Sequence, residues 1–281
     1  MFFIVGPCAL ESLTQVKPIA SLCERYGIKY FRSQLFKPRT HHSSFQGLGA
    51  DAEGMEIINY LKSKNFSIVS EALSIEQLII IREFASIIQI GARSMQNFEL
   101  LKKIGPLVHK RRDSHNQTIS PFVLLKRGPS NTEEEWLAAA SYLEAYGVPR
   151  SKIILCERGT RNHVAPKGVT IDFGLAYRVK NATTYKVIID PSHGTRDANL
   201  VLPMLKATIA MGFDGAMIEV HPTPNESLSD RDQTVSLEEF EKFLNNNDLS
   251  PFVLSKHIIN NHTHRPMFQN TKEMSGSELH A

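Results

Sequence analysis

Short apolar or β-branched runs alternate with longer stretches of helical spacing through most of the chain. The runs predict strands at Phe3–Val5, Lys29–Arg32, Phe66–Ser70, Ile87–Ile90, Pro121–Leu125, Lys152–Leu155, Lys186–Ile189 and Ala216–Val220. The spacing between them predicts helices over Thr14–Tyr26, Ala52–Ser63, Ile75–Phe84, Asn97–Ile104, Thr132–Tyr146, Phe173–Val179 and Ala198–Met211. A last helix, Leu237–Asn245, follows the eighth strand. Ser130-Asn131-Thr132 ahead of Glu133-Glu134-Glu135 puts acids in a first turn, where the helix dipole favours them, and Gly147 closes that helix. Pro18 sits awkwardly inside the first helix, because it has no N–H to give.

Strands that alternate with helices imply a parallel sheet with right-handed crossovers. Eight such units in about 245 residues is the count of an α/β fold of the (β/α)8 TIM-barrel type. A doubly wound open sheet is the alternative, and no GxGxxG or Walker loop supports it. Residues 1–245 are read as one barrel domain and 246–281 as a polar, flexible C-terminal tail, with no room for a second folded domain. Gly105–Ser120 also breaks the rhythm and reads as a solvated loop on the face away from a barrel's active site. The tail holds histidines without regular ligand spacing, so disorder is favoured over a metal site there.

Composition adds exclusions. The 281 residues are 42% hydrophobic and 22% charged, with 32 basic against 29 acidic side chains and a net charge of +3. So even a balance gives no reason to expect nucleic acid or an anionic membrane as partner. No apolar run is long enough to span a bilayer. The apolar opening, Met1–Leu10, lacks a basic lead and is broken by Gly6-Pro7, so it reads as a buried strand rather than a signal peptide. Three cysteines (Cys8, Cys23, Cys156) without a CxxC fit a reducing compartment, and a cytoplasmic location is expected.

A parallel barrel draws its functional side chains from the C-terminal strand ends, so the residues just beyond each run carry the functional signal. Arg32, Lys37, Arg39, Arg93, Lys126 and Arg158 would all point at one mouth. That is more cation than one phosphate needs, and it suggests two phosphorylated substrates or a phosphate plus a carboxylate. Taken singly, each is better read as a rim charge, solvated or paired with a local acid. Cys8, His193, Glu219 and Asp230 form a possible metal set of thiolate, imidazole and carboxylates. Such a mixture suits Zn, Fe, Co or Mn better than Mg or Ca, although Cys8 could equally be a small buried apolar residue.

The wording at these ends resembles a known family. Gly6-Pro7-Cys8-Ala9-Leu10-Glu11-Ser12, Phe36-Lys37-Pro38-Arg39-Thr40 and Gln89-Ile90-Gly91-Ala92-Arg93-Ser94 are similar to motifs of synthases that condense phosphoenolpyruvate with a phosphorylated aldose. Leu124-Leu125-Lys126-Arg127-Gly128, Leu155-Cys156-Glu157-Arg158-Gly159, Asp190-Pro191-Ser192-His193 and Glu219-Val220-His221-Pro222 continue the match, in order, over roughly residues 3 to 245. These are the 3-deoxy-D-arabino-heptulosonate 7-phosphate (DAHP) synthases and their octulosonate 8-phosphate relatives. The KPRT element resembles the DAHP branch, in its shorter, octulosonate-synthase-like subgroup.

The resemblance implies a TIM barrel, one divalent metal ion (Mn, Fe, Co or Zn) and the opening step of the shikimate pathway. Phosphoenolpyruvate and erythrose 4-phosphate would give DAHP and phosphate. By the same resemblance Cys8, His193, Glu219 and Asp230 would hold the metal, and Arg32, Lys37, Arg93, Lys126 and Arg158 the phosphoenolpyruvate. Lys37, Pro38, Arg39 and Thr40 would bind the aldose phosphate, and Cys8, Lys37, Glu71 and His193 would be the catalytic set, with Glu71 or a metal-bound water handling protons. A homo-oligomer, dimer or tetramer, is also implied. An appended regulatory module is common in the family, and none is expected here.

The chain departs from the family wording at Ser33-Gln34-Leu35, where Gly-Gly-Ala is usual, and at His41-His42-Ser43, where Ser-Pro-Tyr is common. Thr160–Gly168 differs too, as does Gly194–Asn199, which has a single arginine, Arg196, where two are common. These stretches flank the expected aldose end, so arabinose 5-phosphate is the rival substrate. A barrel that binds phosphorylated metabolites without catalysis is a third reading.

Overall fold

The computed structural model describes residues 1–108 and 120–247. Eight strands form the barrel: β1 (Phe2–Gly6), β2 (Tyr30–Arg32), β3 (Ser67–Glu71), β4 (Ile87–Ile90), β5 (Phe122–Lys126), β6 (Ile153–Glu157), β7 (Lys186–Ile189) and β8 (Gly215–His221). Every neighbouring pair is parallel, and β8 returns to β1 to close the sheet, with Phe2 level with Gly215 and Gly6 level with Glu219. This is the (β/α)8 barrel, not the open sheet.

Alternation within each strand divides the core in two. Ile4, Val69, Ile87, Leu124, Ile154, Ile188 and Met217 fill the barrel interior. Val5, Phe31, Ile68, Ile88, Val123, Leu155 and Ile218 face outward beneath the helices. Both faces of every strand are therefore buried, which is why the runs are apolar throughout rather than alternating. Gly6 is required where β1 meets β2, since a Cβ there would lie 2.4 Å from the Arg32 carbonyl oxygen.

The helices are α1 (Leu13–Arg25), α2 (Ala52–Ser63), α3 (Ile75–Ile81), α4 (Phe98–Val108), α5 (Glu133–Ala145), α6 (Phe173–Ala182), α7 (Ala198–Ala210) and α8 (Leu237–Asn246). Thr132 caps α5 in a full capping box with Glu135, in keeping with the acidic run after it. Trp136 of α5 is fully buried and donates its indole N–H to the Leu125 carbonyl at 3.3 Å, fastening the helix to β5. Pro18 does lie inside α1, on its exposed side, where water can take over the carbonyl that loses its partner.

Two boundaries move. Helix α4 runs to Val108, so Gly105–Val108 are helical rather than loop, while residues 109–119 lie outside the described residues. Helix α8 ends at Asn246, one residue beyond the expected domain edge, and 248–281, which hold almost all of the expected tail, are likewise outside. At the C-terminal end of the barrel short elements are added. An antiparallel pair, Thr160–Arg161 with Val169–Thr170, follows β6, and a short helix, Pro191–Thr195, follows β7. Val235–Ser236 adds a parallel ladder beside the end of β8. Among the described residues no helix is long and apolar enough to cross a membrane.

Candidate active site

The short helix after β7 shows how sequence builds the site. Asp190 ends the strand and its carboxylate accepts the His193 backbone N–H at 3.0 Å, with Pro191 preset for a first helical turn. The turn folds His193 back so that its Nδ1 lies 2.8 Å from Asp190 Oδ2 and its Nε2 lies 3.4 Å from Glu219 Oε1. Glu219 stands in β8, Cys8 just beyond β1, and Asp230 in the loop after β8 with a left-handed backbone (φ 50°). One donor atom from each of Cys8, His193, Glu219 and Asp230 lies within 4.8 Å of the others.

Cations surround this quartet. Lys37 Nζ donates to Cys8 Sγ at 2.6 Å and lies 2.8 Å from Asp230 Oδ2, while Arg39 donates to Asp230 Oδ1 at 3.2 Å. Arg32, almost fully buried, pairs with Glu219 and donates to the Cys8 carbonyl at 3.2 Å. Gln233 donates to the other Glu219 oxygen at 2.5 Å. Burial raises the Glu219 carboxyl, but Arg32, His193 and Lys37 outweigh it and hold the group down at about 2. Asp230 is likewise held far below the usual carboxylate range: burial raises it, and Lys37 overrides that. Burial pushes His193 down to about 4 and the Cys8 thiol well up.

The set fits a divalent ion. His193 is neutral, and a Nδ1–H facing Asp190 leaves the Nε2 lone pair facing a charged carboxylate oxygen. Two lone-pair atoms 3.4 Å apart call for a cation between them, and a carboxylate behind the imidazole is the usual support of a metal-bound histidine. Cys8 gives the sulfur, which a bound ion would hold as thiolate.

Above the quartet opens a cavity of about 900 Å³. All six cations picked out by strand position (Arg32, Lys37, Arg39, Arg93, Lys126 and Arg158) line it, with Pro38, Thr40, Glu71, His193 and Asp230. Cys8 and Glu219 do not; they lie beneath Lys37 and Arg32. Lys126 Nζ sits 2.6 Å from Asp190 Oδ2, and Arg93 donates to the Pro38 carbonyl at 3.1 Å and to the Thr40 hydroxyl at 3.4 Å. Glu71 accepts a hydrogen bond from Gln89 at 2.6 Å and lies over Gly91, where a Cβ would stand 2.0 Å from Glu71 Oε1. Its backbone N–H donates to the Gln34 side chain at 2.6 Å.

Sequence reasoning missed several contributors. Arg231 also lines the cavity, as do Arg161, Lys167 and Arg196, whose stretches were read only as departures flanking the aldose end and given no binding role. Gln89 and Gln233 donate to the Glu71 and Glu219 carboxylates, and Gln34 accepts the Glu71 backbone N–H; Gln89, a polar residue inside the apolar run Ile87–Ile90, was the legible signal. Other strand-end residues stay out. Glu157 turns to the buried Arg127 at 2.7 Å, and His221 faces Glu11 at 3.5 Å beside a separate cavity of about 320 Å³. His41 lines the main cavity and His42 does not.

A parallel barrel with ten of the described lysines and arginines around its mouth, set over a thiol, imidazole and carboxylate quartet, defines an anion-handling (β/α)8 enzyme. The chain belongs to the DAHP synthetase I family, whose model matches residues 1–250. It is 38% identical over 242 residues to a phospho-2-dehydro-3-deoxyheptonate aldolase of Thermotoga maritima, covering 86% of this chain and 67% of that protein. A 2-dehydro-3-deoxyphosphooctonate aldolase of Fusobacterium nucleatum is 26% identical, with 86% of this chain and 87% of that protein covered. The crystal structure of a DAHP synthase from Thermotoga maritima superposes with a TM-score of 0.78 at 36% identity, covering 88% of this chain and 68% of that one.

Proposed function

We propose that the chain condenses phosphoenolpyruvate with erythrose 4-phosphate to give DAHP and inorganic phosphate, the opening step of the shikimate route to aromatic amino acids. The observation that carries this reading is the cavity itself, where cations gathered from many loops and strands border a quartet fit for a metal. In the reaction the methylene carbon of phosphoenolpyruvate bonds to the aldehyde carbon. Water adds at the cationic C2, and phosphate departs by C–O cleavage. Cys8, His193, Glu219 and Asp230 would hold a divalent ion, which would supply Lewis-acid polarisation of the aldehyde oxygen.

The protein's own groups do the rest. Arg32, Lys37, Arg93, Lys126 and Arg158 hold phosphoenolpyruvate, and Arg39 and Thr40, with Lys37 and Pro38, hold the aldose phosphate. Two anions that repel in water are kept within bonding distance, which removes the entropic cost of their meeting. Glu71, fixed by Gln89 and Gly91 at the cavity wall, is the side chain that moves protons near the reacting end. The donor set favours Mn, Fe, Co or Zn. A cytoplasmic homo-oligomer, dimer or tetramer, is part of the same reading, and sedimentation of the purified protein measures its assembly.

The test is phosphate release from phosphoenolpyruvate with each aldose in turn. Turnover with erythrose 4-phosphate is expected. Turnover with arabinose 5-phosphate alone would reassign the enzyme to the octulosonate branch. Release with neither would leave a binding barrel.

A further inference from the structure

The barrel closes where β1 meets β8, and the quartet straddles that seam. Cys8 follows the first strand, Glu219 stands in the last, and Asp230 is carried by the loop beyond it. The Asp230 backbone is left-handed (φ 50°), a conformation that costs a residue with a Cβ. Its carbonyl accepts the Gln233 N–H at 3.3 Å and the Thr234 hydroxyl at 3.0 Å, which shapes the turn locally. Downstream the loop is pinned to the barrel by Gln233 on Glu219 and by Val235 beside Val220. Upstream it is pinned by Glu11, a residue on the other side of the seam.

Glu11 Oε1 accepts the Leu228 backbone N–H at 2.9 Å and lies 3.1 Å from the Ser227 hydroxyl oxygen. Ser227 is buried, and its carbonyl accepts Arg231 Nε at 2.5 Å, so the pinned residues and the turn around Asp230 form one unit. Glu11 is held at its own root. Its N–H donates to Gln15 Oε1 at 3.1 Å, and Gln15 Nε2 donates to the Ala9 carbonyl at 3.3 Å, which ties the segment after Cys8 to α1. The second oxygen, Oε2, lies 3.5 Å from Nε2 of the buried His221. His221 Nδ1 accepts the Thr223 N–H at 3.0 Å, so the ring carries its proton on Nε2. That makes this pair the reverse of His193 and Glu219: a proton stands on the nitrogen that faces the carboxylate, and no second ion is called for.

We infer that Glu11 is a positioning residue of the metal centre, which acts by tying the loop before Asp230 to the segment after Cys8. This rests on the reading of the quartet as a divalent-metal site. A ligand atom must be placed to within about 0.2 Å. A loop released at its upstream end would have to be ordered by the ion, and part of the binding energy would go into that ordering. Cys8 is fixed separately, by β1 on one side and by Gln15 on the Ala9 carbonyl on the other. The loss of Glu11 therefore falls on Asp230 and not on the sulfur.

The experiment is titration of the metal-stripped, full-length protein with Co(II) in competition with a chromophoric chelator. Wild type, Glu11→Ala, Glu11→Asp and Glu11→Gln are compared, and Glu11→Ala is repeated together with Asp230→Ala. Glu11→Ala should weaken Co(II) binding about 10- to 100-fold, the usual cost of losing a group that supports a ligand. Glu11→Asp keeps the charge but shortens the reach by one methylene, and should lose nearly as much. Glu11→Gln keeps an acceptor for the Leu228 N–H and should recover part of the loss. Once Asp230→Ala is present, adding Glu11→Ala should weaken binding by less than about threefold more, because two groups that act through one contact do not add. Unchanged affinity in Glu11→Ala, or penalties that multiply in the double variant, would overturn the assignment and leave Glu11 a support of the fold alone. Should Glu11→Ala not fold, equal affinities of Glu11→Asp and Glu11→Gln would overturn it in the same way. A wild-type protein that binds no Co(II) would instead overturn the reading of the quartet.

Discussion

Cys8 is the one sulfur in the quartet, and its thiol is occupied on two sides, by Lys37 at 2.6 Å and by Asp230 at 2.9 Å. Cys8→Ala should lower affinity for a divalent ion at least about a hundredfold, since even losing a group that merely supports a ligand costs about ten- to a hundredfold. Metal content after dialysis measures this, and full occupancy with an unchanged rate would remove Cys8 from the ligand set. At this scale the chemistry-bearing residues were legible, because strand ends converge in a barrel. The neutral residues that aim them were not. A glutamine such as Gln233 or Gln34 matters through one hydrogen bond to a carboxylate or to the strand carrying one, and no spacing announces it.

At the scale of elements, Thr132 caps the start of α5, and Trp136 one turn later anchors that helix to β5. Thr132→Ala should cost about 1 kcal/mol of stability, read as a lowered urea midpoint. Both KM values should stay unchanged, because α5 packs outside the sheet. The eight barrel strands were legible since both faces of each are buried, which leaves long apolar runs between polar turns. The pair Thr160–Arg161 and Val169–Thr170 was not: two residues a side, with exposed Arg161 and Thr170, carry no periodicity. The helix Pro191–Thr195 was hidden for a related reason, as five residues are too short for an apolar stripe. These unheralded elements bring Arg161 and Arg196 to the cavity, so the expected cation count fell short by the loop arginines and lysine.

For the whole molecule, the buried charges fix how the metal-free protein responds to acid. His193 titrates near 4 in the fold against an ordinary value of 6.5, so between those limits the unfolded chain binds the extra proton. Stability therefore falls as the pH drops from about 6.5 to 4, by about 3 kcal/mol from this residue alone. Glu219, held at about 2 against an ordinary 4.5, carries the loss further down in the same direction. Urea unfolding of the metal-free protein across this range should show the slope, and His193→Gln should flatten the part above pH 4. An unaltered slope in that variant would assign the acid sensitivity elsewhere. Cys8 and Asp230 are separated by 222 positions, and Glu219 stands on the strand that closes against β1. At a ribosome's pace of about 5 to 20 residues per second, Cys8 waits on the order of ten to forty seconds for its partners to be made. A half-synthesised chain thus carries the thiol and its Lys37 neighbour but none of the other three members of the quartet, so any ion the full quartet takes arrives on a finished barrel.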